Sequence, residues 1–447
     1  MNVIVICLDT LRWDFLGYNG NDWIRTPAID SFANQAIVFD RAYCTSFPTV
    51  PMRTDCFTGN TNWPRYGWKP LGENEVTLPQ CLHAAGYYTG LILDTANMVG
   101  AKFPRDFDEY ELIKKPVDDG VKSEDIEFPF PRENARQGGR GYANDMARMS
   151  HYRHETDWFV ARTMMRAGEW LEDNYKRDKF FLWVDTFEIH EVWRAPNYYT
   201  ELYSPNYEGI DYSYPNYGYT DIYSEAELQR LRARYAAEVT LTDKWVGHLL
   251  RQIEEMNLLE NTMVVLISDH GMYLGEHRRT GKHTVDPTDP WPIYEEVARI
   301  PLLVWLPEHK LPKRVSALVQ PADLMPTILE VCGVKMPQMY GRSLVPLMGG
   351  ETHKHWETVF TTCYSWTGEG RINYLPSLIT VTSPQWSLLV GPEPTQPELY
   401  DLRVDVHQEN NCINQYSDVA KHLHKSLVEF MQEQGANKEY IEAYARL

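Results

Sequence analysis

Asp9 closes the apolar run "NVIVICLDT", and Asp269 and His270 stand side by side directly after a second such run, "NTMVVLISDHG". Open α/β sheets place their ligands outside the carboxyl ends of the strands, so two carboxylates and an imidazole delivered there make a divalent-metal site. Taken alone, Asp9 reads equally well as a turn or helix-capping aspartate. The Asp269 and His270 pair says more, since adjacent titratable groups after an apolar strand have little structural purpose.

These residues need a frame to bring them together. Both runs are short and β-branched, as buried parallel strands are. "GYYTGLILD", "KFFLWVDTF" and "IPLLVWLP" repeat the pattern. Amphipathic helical stretches lie between them: "TPAIDSFANQA", "DWFVARTMMRAGEWLEDNY" and "EAELQRLRARYAAEVTLTDKWVGHLLRQIEEM". "PADLMPTILEVCG" reads as a helix closed by Gly333. The alternation predicts an α/β fold, a mostly parallel central sheet with helices on both faces, over residues 1–350. Beyond it, "WETVFTTCY", "SLITVTS" and "WSLLVG" followed by "SDVAKHLHKSLVEFMQEQ" predict a small C-terminal α+β subdomain over residues 351–447. Residues 104–142 and the Tyr-rich "YYTELYSPNYEGIDYSYPNYGYTDIY" resist regular assignment and read as functional loops or well-packed surface excursions.

The 447 residues, 43% hydrophobic and 23% charged, suit an ordered protein with one large catalytic lobe and a smaller one. A net charge of -19 with no basic run excludes nucleic acid and anionic lipid as partners, and an anionic substrate then needs a local cationic pocket. Seven scattered cysteines without a CxxC pair argue against a disulfide framework and fit a reducing compartment. The apolar start has no basic flank, and no run reaches the roughly 18 apolar residues that span a bilayer. The expectation is a cytoplasmic protein away from membranes, with a homo-oligomer left open.

Further motifs run from end to end: "VICLDTLRWD", "FDRAY" leading into "PTVPMRTDCFTG", "AAGYYTG", "FFLWVDTFEIHEVWRAPNYY", "LISDHGMYLGEHRRTGKH", "YEEVARIPLLVW", "YGRSL" and "ELYDLRVDVHQENN". In this order they make the chain resemble the sulfatase family of the alkaline phosphatase superfamily. Sulfatases carry Cys-x-Pro-Ser-Arg, whose Cys is oxidised to formylglycine. Here the stretch is Thr49-Val50-Pro51-Met52-Arg53, and neither Cys44 nor Cys56 is followed by the x-Pro-x-Arg frame. Thr49 is still a competent nucleophile if a metal lowers the pKa of its hydroxyl. "TVPMRTDCFTG" resembles the T-x-P frame of nucleotide pyrophosphatases/phosphodiesterases. Lipoteichoic acid synthases and phosphoethanolamine transferases hold one metal with a carboxylate, the threonine, an Asp and a His, a set that Asp9, Thr49, Asp269 and His270 match.

The resemblance implies a two-step reaction through a phosphothreonine, released by water or an acceptor alcohol. Arg53, one helical turn after Thr49, would face the nucleophile. Lys282 and His283, in "TGKH", match sulfatase positions that grip the ester oxygens, and His190, in "FEIHEVW", matches another. Thr10 replaces the second Asp of the sulfatase pair, and Asp94-Thr95-Ala96 replaces a Lys-x-His clamp. With His270 in place of a common Asn, the site leans towards Mn or Zn, with Ca or Mg as alternatives; phosphonate monoester hydrolases also pair Asp with His. One divalent ion is expected. A second would need an additional Asp/His/His cluster, to which Asp185 and His190 could contribute. The expected function is a metal-dependent hydrolase of a small anionic phosphate, phosphonate or sulfate ester through Thr49. The alternatives are a sulfatase working without formylglycine and a catalytically impaired sulfatase-like binding protein.

Overall fold

The computed structural model describes residues 1–65, 67–114, 121–283, 290–309, 313–363, 366–367, 371–372 and 378–447. Its largest sheet has nine strands: β1 (Asn2–Leu8), β2 (Ile37–Tyr43), β3 (Tyr88–Leu93), β4 (Glu109–Leu112), β5 (Phe180–Thr186), β6 (Thr262–Ser268), β7 (Arg299–Ile300), β8 (Leu302–Trp305) and β9 (Lys313–Val319). They lie in the order β7-β2-β8-β6-β1-β5-β3-β4, with β9 paired to β2. β1 is parallel to β5 and β6, and β3 to β5 and β4, while β8 runs antiparallel to β2 and β6. The fold is the mostly parallel α/β sheet that the alternation of runs predicts.

Burial on both faces explains why β1 is apolar throughout. Val3, Val5 and Cys7 enter one core, and Ile4, Ile6 and Leu8 enter the other. Each fully buried branched side chain of this kind stabilises the fold by roughly 1.5–3 kcal/mol. On the first face lies α1 (Thr49–Thr58), contributing Val50, Met52 and Phe57. On the second lie α2 (Phe159–Asn174) and α3 (Glu225–Glu255), contributing Val160, Met164, Leu171, Leu231, Tyr235 and Val239. The Ser224 and Glu227 capping box fixes the start of α3. Gly90 of β3 lets α2 sit close, because a Cβ there would stand 2.6 Å from the Trp170 ring.

A second, five-stranded sheet orders Glu398–Asp401, Trp386–Val390, Ile379–Thr382, Val359–Cys363 and Ser46–Phe47 side by side. Helix α4 (Ser417–Glu433) packs Leu423, Leu427 and Phe430 against Ile379, Val381 and Leu388 of this sheet. Thr362 pairs with Ser46, so the sheet braces the segment that leads into Thr49.

One expectation about loops changes. Residues 104–142 were expected to be irregular, yet Glu109–Leu112 forms edge strand β4; Glu109, Tyr110 and Glu111 are exposed, so the strand has no apolar alternation to betray it. Residues 115–120 of that stretch lie outside the described residues, as do 364 and 377 of the expected C-terminal strands. The Tyr-rich segment buries Tyr212, Tyr214, Tyr217 and Tyr223. Among the described residues no helix is long and apolar enough to cross a membrane.

Candidate catalytic and metal site

The register of the central strands decides which carboxylates meet. Leu8 pairs with Ser268 on one side and with Thr186 on the other, so Asp9 and Asp269 leave the sheet at the same level. Asp185 pairs with Cys7 and sits beside them. Thr10 follows with φ +64°, a left-handed conformation that a β-branched residue adopts only under constraint. Its amide donates to Asp269 Oδ1 (2.8 Å), its hydroxyl donates to Asp9 Oδ1 (2.6 Å), and its carbonyl accepts from the Tyr235 hydroxyl (2.7 Å). Left-handed strain at such a site costs of order 1–3 kcal/mol and persists only where its surroundings overdetermine it.

Asp9, Asp269 and His270 each offer one ligand atom within 4.8 Å of the others, all three fully buried. His270 Nδ1 donates to the Gly271 carbonyl at 2.9 Å, which fixes the tautomer and leaves Nε2 as a lone-pair donor. Nε2 faces Asp269 Oδ2 at 3.5 Å and Asp9 Oδ1 at 4.0 Å. Asp9 Oδ2 is buried and accepts no hydrogen bond. A hard and a borderline donor type, converging with an unsatisfied carboxylate oxygen, fit a divalent cation.

Burial pushes the His270 imidazole down to about 3, so it is neutral. Burial works against ionisation of Asp269, but attraction from the Arg53 guanidinium and from Lys282 outweighs it and holds the carboxyl low. Of that pair, the ionised carboxylate beside a neutral imidazole is the state supported here, since Arg53 Nη1 remains 2.6 Å from Asp269 Oδ2. Asp9, by contrast, is raised by burial and by Asp269. It is the carboxylate whose negative charge most needs a cation.

Arg53 ties the site together. Its Nε and Nη2 bind Asp185 in a fork at 2.8 and 2.9 Å, Nη1 reaches Asp269, and Nη2 lies 3.5 Å from Asp9 Oδ2. The same Nη1 donates to the Thr49 carbonyl at 3.1 Å, so Thr49, the first residue of α1, is anchored beside Asp269. Asp185 also accepts from Thr95 Oγ1 (2.5 Å) and Trp183 Nε1 (3.0 Å). With its lone pairs so occupied it serves as the brace of Arg53, and among the described residues it does not join the converging ligand set.

Lys282 is buried, with Nζ 3.3 Å from His270 Nε2 and 3.8 Å from Asp9 Oδ1, and burial lowers its pKa. His190 stacks on Phe187 with ring centroids 4.1 Å apart and donates from Nδ1 to the Glu191 carbonyl at 2.7 Å. Burial, with Lys282 and Arg136 nearby, pushes it well below the ordinary histidine value. His283 lies further out, edge-on to Tyr217 at 5.0 Å. The structure thus gathers Asp9, Thr49, Arg53, Asp269, His270 and Lys282 in one network of contacts, with His190 next to it and His283 at its margin.

Sequence reasoning missed Thr95 as a support of Asp185, and Arg136, whose guanidinium pairs with Glu191 at 3.0 Å and lies 4.2 Å over the Tyr217 ring. The run "LILDTAN" offered the one signal for Thr95, a hydroxyl just past a strand end. Nothing in the sequence around Arg136 distinguishes it from other arginines of the 104–142 stretch.

The family model described as Sulfatase matches residues 1–334, and one described as N-sulphoglucosamine sulphohydrolase, C-terminal, matches residues 288–433. Arylsulfatase K of Canis lupus familiaris is 25% identical, over 95% of this chain and 81% of that protein. An arylsulfatase of Clostridium perfringens (strain 13 / Type A) is 23% identical, over 96% and 94%. Among solved structures, a phosphonate monoester hydrolase of Agrobacterium radiobacter superposes with TM-score 0.76 at 17% identity, covering 97% of this chain and 95% of its own. A protein in complex with its substrate D-glucosamine-2-N,6-O-disulfate reaches 0.73 at 20% identity, covering 98% of each chain. Members of this family use a divalent metal, and the buried Asp9, Asp269 and His270 cluster is compatible with one. With the Sulfatase model matching most of its length, the chain belongs to the sulfatase family and is an ester hydrolase of that fold.

Proposed function

We propose that the protein hydrolyses a small phosphate or phosphonate ester with Thr49 as nucleophile, in the place where sulfatases carry formylglycine. The observation that supports the reading is the shared guanidinium nitrogen: Arg53 Nη1 binds both the Thr49 carbonyl and Asp269, which ties the residue that opens α1 to a carboxylate of the ligand cluster. A threonine ester has no second hydroxyl that could expel the acid group by collapse to an aldehyde, so water must attack the transferred centre itself, the route by which enzyme phosphate esters are released.

A divalent cation held by Asp9, Asp269, His270 and Thr49 would supply Lewis acidity that lowers the pKa of the threonine hydroxyl and offsets the charge of the ester. The Thr49 oxygen then attacks phosphorus, the bond to the leaving oxygen breaks, and the leaving alcohol departs with a proton. Water attacks the phosphothreonine, frees phosphate or phosphonate and restores the hydroxyl. Arg53 and Lys282 provide positive charge for the transferring oxygens, and the amino-terminal end of α1 adds its dipole. His190 has its Nδ1 proton engaged with the Glu191 carbonyl, so its neutral Nε2 is suited to accept a proton from the attacking water. His283, at the margin beside Tyr217, would contact the alcohol side.

A second reading, sulfate ester hydrolysis without formylglycine, is supported by the arylsulfatase relatives; a phosphonate monoester hydrolase of similar fold supports the first. The test is metal content together with hydrolysis of aryl phosphate monoester, aryl phosphodiester, aryl phosphonate and aryl sulfate by wild type and Thr49→Ala. Cleavage of a phosphorus ester that vanishes in Thr49→Ala supports the proposal. Turnover of sulfate alone transfers the case to the second reading, and inactivity of a metal-loaded wild type towards every ester makes the protein a binding protein.

A further inference from the structure

On the far side of His190 lies a second acid-rich region that the reaction outlined above does not use. His190 and Glu191 line a cavity of about 80 Å3 together with Asp94, Glu188 and Glu238. Glu238 is 2% exposed; the backbone amides of Arg194 and Ala195 donate to its Oε1, while its Oε2 is buried without a hydrogen-bond partner. Glu191 Oε2 is likewise unpartnered, although His190 Nδ1 stands 3.3 Å away, and so is the Tyr152 hydroxyl on the same cavity. Asp94 accepts from Thr163, Thr186 and the Phe187 amide, and Glu188 from the Val160 amide. Among the described residues, Asp94, Glu188 and Glu238 form no ion pair. Arg148 lines the cavity too, but it is half exposed and faces Asp145 at 3.4 Å.

The lining therefore combines three carboxylates, Asp94, Glu188 and Glu238, that form no ion pair among the described residues, two buried carboxylate oxygens without a donor, and the rings of Trp158 and Phe187. An anion is repelled here, and a neutral apolar group would leave the buried oxygens unpaired at a cost of roughly 1–3 kcal/mol each. An organic ammonium satisfies all three features, since aromatic faces and carboxylates together are the chemistry that recognises such cations. The volume is several times the ~10–15 Å3 that one water needs. It has room for an ammonium head with small alkyl groups.

We propose that this cavity receives a cationic alkylammonium group on the alcohol side of the substrate, which makes the ester that of a short amino alcohol. The inference rests on Thr49 being the reacting centre, because His190 is common to the site and the cavity. Burial and the charges of Glu238 and Asp94 push Glu188 well above the usual carboxylate range, as an acid cluster lacking its cation would show.

The test uses the full-length, metal-loaded protein. Hydrolysis of the 2-(trimethylammonio)ethyl ester is compared with that of the uncharged 3,3-dimethylbutyl ester of the same acid, and tetramethylammonium binding is measured separately by calorimetry at physiological salt. The expected result is a KM at least about ten-fold lower for the cationic ester, 1:1 binding of tetramethylammonium, and at least ten-fold weaker binding in Glu238→Gln or Trp158→Ala. Equal KM values, or binding that Glu238→Gln and Trp158→Ala both leave intact, overturn the proposal and assign any attraction to the acidic surface at large. The wild-type comparison needs no variant to fold. If aryl esters are cleaved through Thr49 while the cationic ester has no advantage, the cavity inference falls and the Thr49 reading stands. If no ester is cleaved, the Thr49 reading falls and calorimetry alone decides the cavity.

Discussion

Two groups of buried carboxylates lie on either side of His190, and they are provisioned in opposite ways. Around Thr49, Asp9, Asp185 and Asp269 are met by Arg53 and Lys282, with contacts from 2.6 to 3.8 Å. Around the cavity, the hydrogen bonds to Asp94, Glu188 and Glu238 among the described residues come from backbone amides and hydroxyls. Buried acids of the first kind hold cations in place. Those of the second kind keep their protons or wait for a positive charge. On the reading proposed here, the same residue type would serve the acid part of an ester on one side of the site and its alcohol on the other.

The contrast can be broken first at the nucleophile. Thr49→Ala is expected to lower phosphorus-ester turnover by about 10⁴-fold or more, the scale on which nucleophiles are lost, while the metal content measured by mass spectrometry stays near that of wild type because Asp9, Asp269 and His270 remain. Loss of the metal together with activity would mean that the threonine anchors the ion and leave its role as nucleophile unsupported.

Removing the cation that serves the first group comes next. Arg53→Met strands Asp185 and Asp269 in the interior, and the expected cost is about 3–5 kcal/mol in urea unfolding. A change of less than about 1 kcal/mol would show that water reaches these carboxylates and that the network does not hold the site.

Asp185→Asn sharpens the distinction between a brace and a ligand. It should reduce kcat by about 10–100-fold through a loosened Arg53, the range seen for groups that orient others, and leave one metal per chain. A fall in metal stoichiometry would instead make Asp185 a ligand of a second ion.

The smallest effect is expected from the cavity side. Burial raises the Glu238 carboxyl to about 7, against an ordinary value near 4.3. The folded state then holds the proton more tightly than the unfolded one, so this contribution to stability is complete below pH ~4.3 and is lost as the pH rises through about 7. Glu238→Gln should show a smaller drop in urea midpoint between pH 5 and pH 8 than wild type; an identical drop would remove Glu238 from the set of strained acids.

Much of this arrangement was legible in the chain. β1, β5 and β6 announced themselves as apolar runs because they are buried on both faces, and Asp9, Asp269 and His270 could be singled out because they follow such runs. The partnership of Arg53 with Asp185 was not legible, since it depends on β5 lying next to β1, and strand order leaves no mark on spacing. β4 was hidden by its exposure, and the pairing of Ser46 with Thr362 by the more than 300 residues between them. The cavity was hidden for a different reason: Asp94, Glu188, Glu191 and Glu238 come from separate stretches of sequence and share only the space they enclose.

The central claim is that Thr49 carries the transferred group. Its most direct test is to mix the metal-loaded protein with a reactive aryl phosphate or phosphonate ester, quench in acid during turnover, and map the modified peptide by mass spectrometry. The account predicts one phosphoryl or phosphonyl group on Thr49, absent without substrate and absent in Thr49→Ala. Turnover of the ester with no such adduct at Thr49, or with the adduct on another residue, would contradict it.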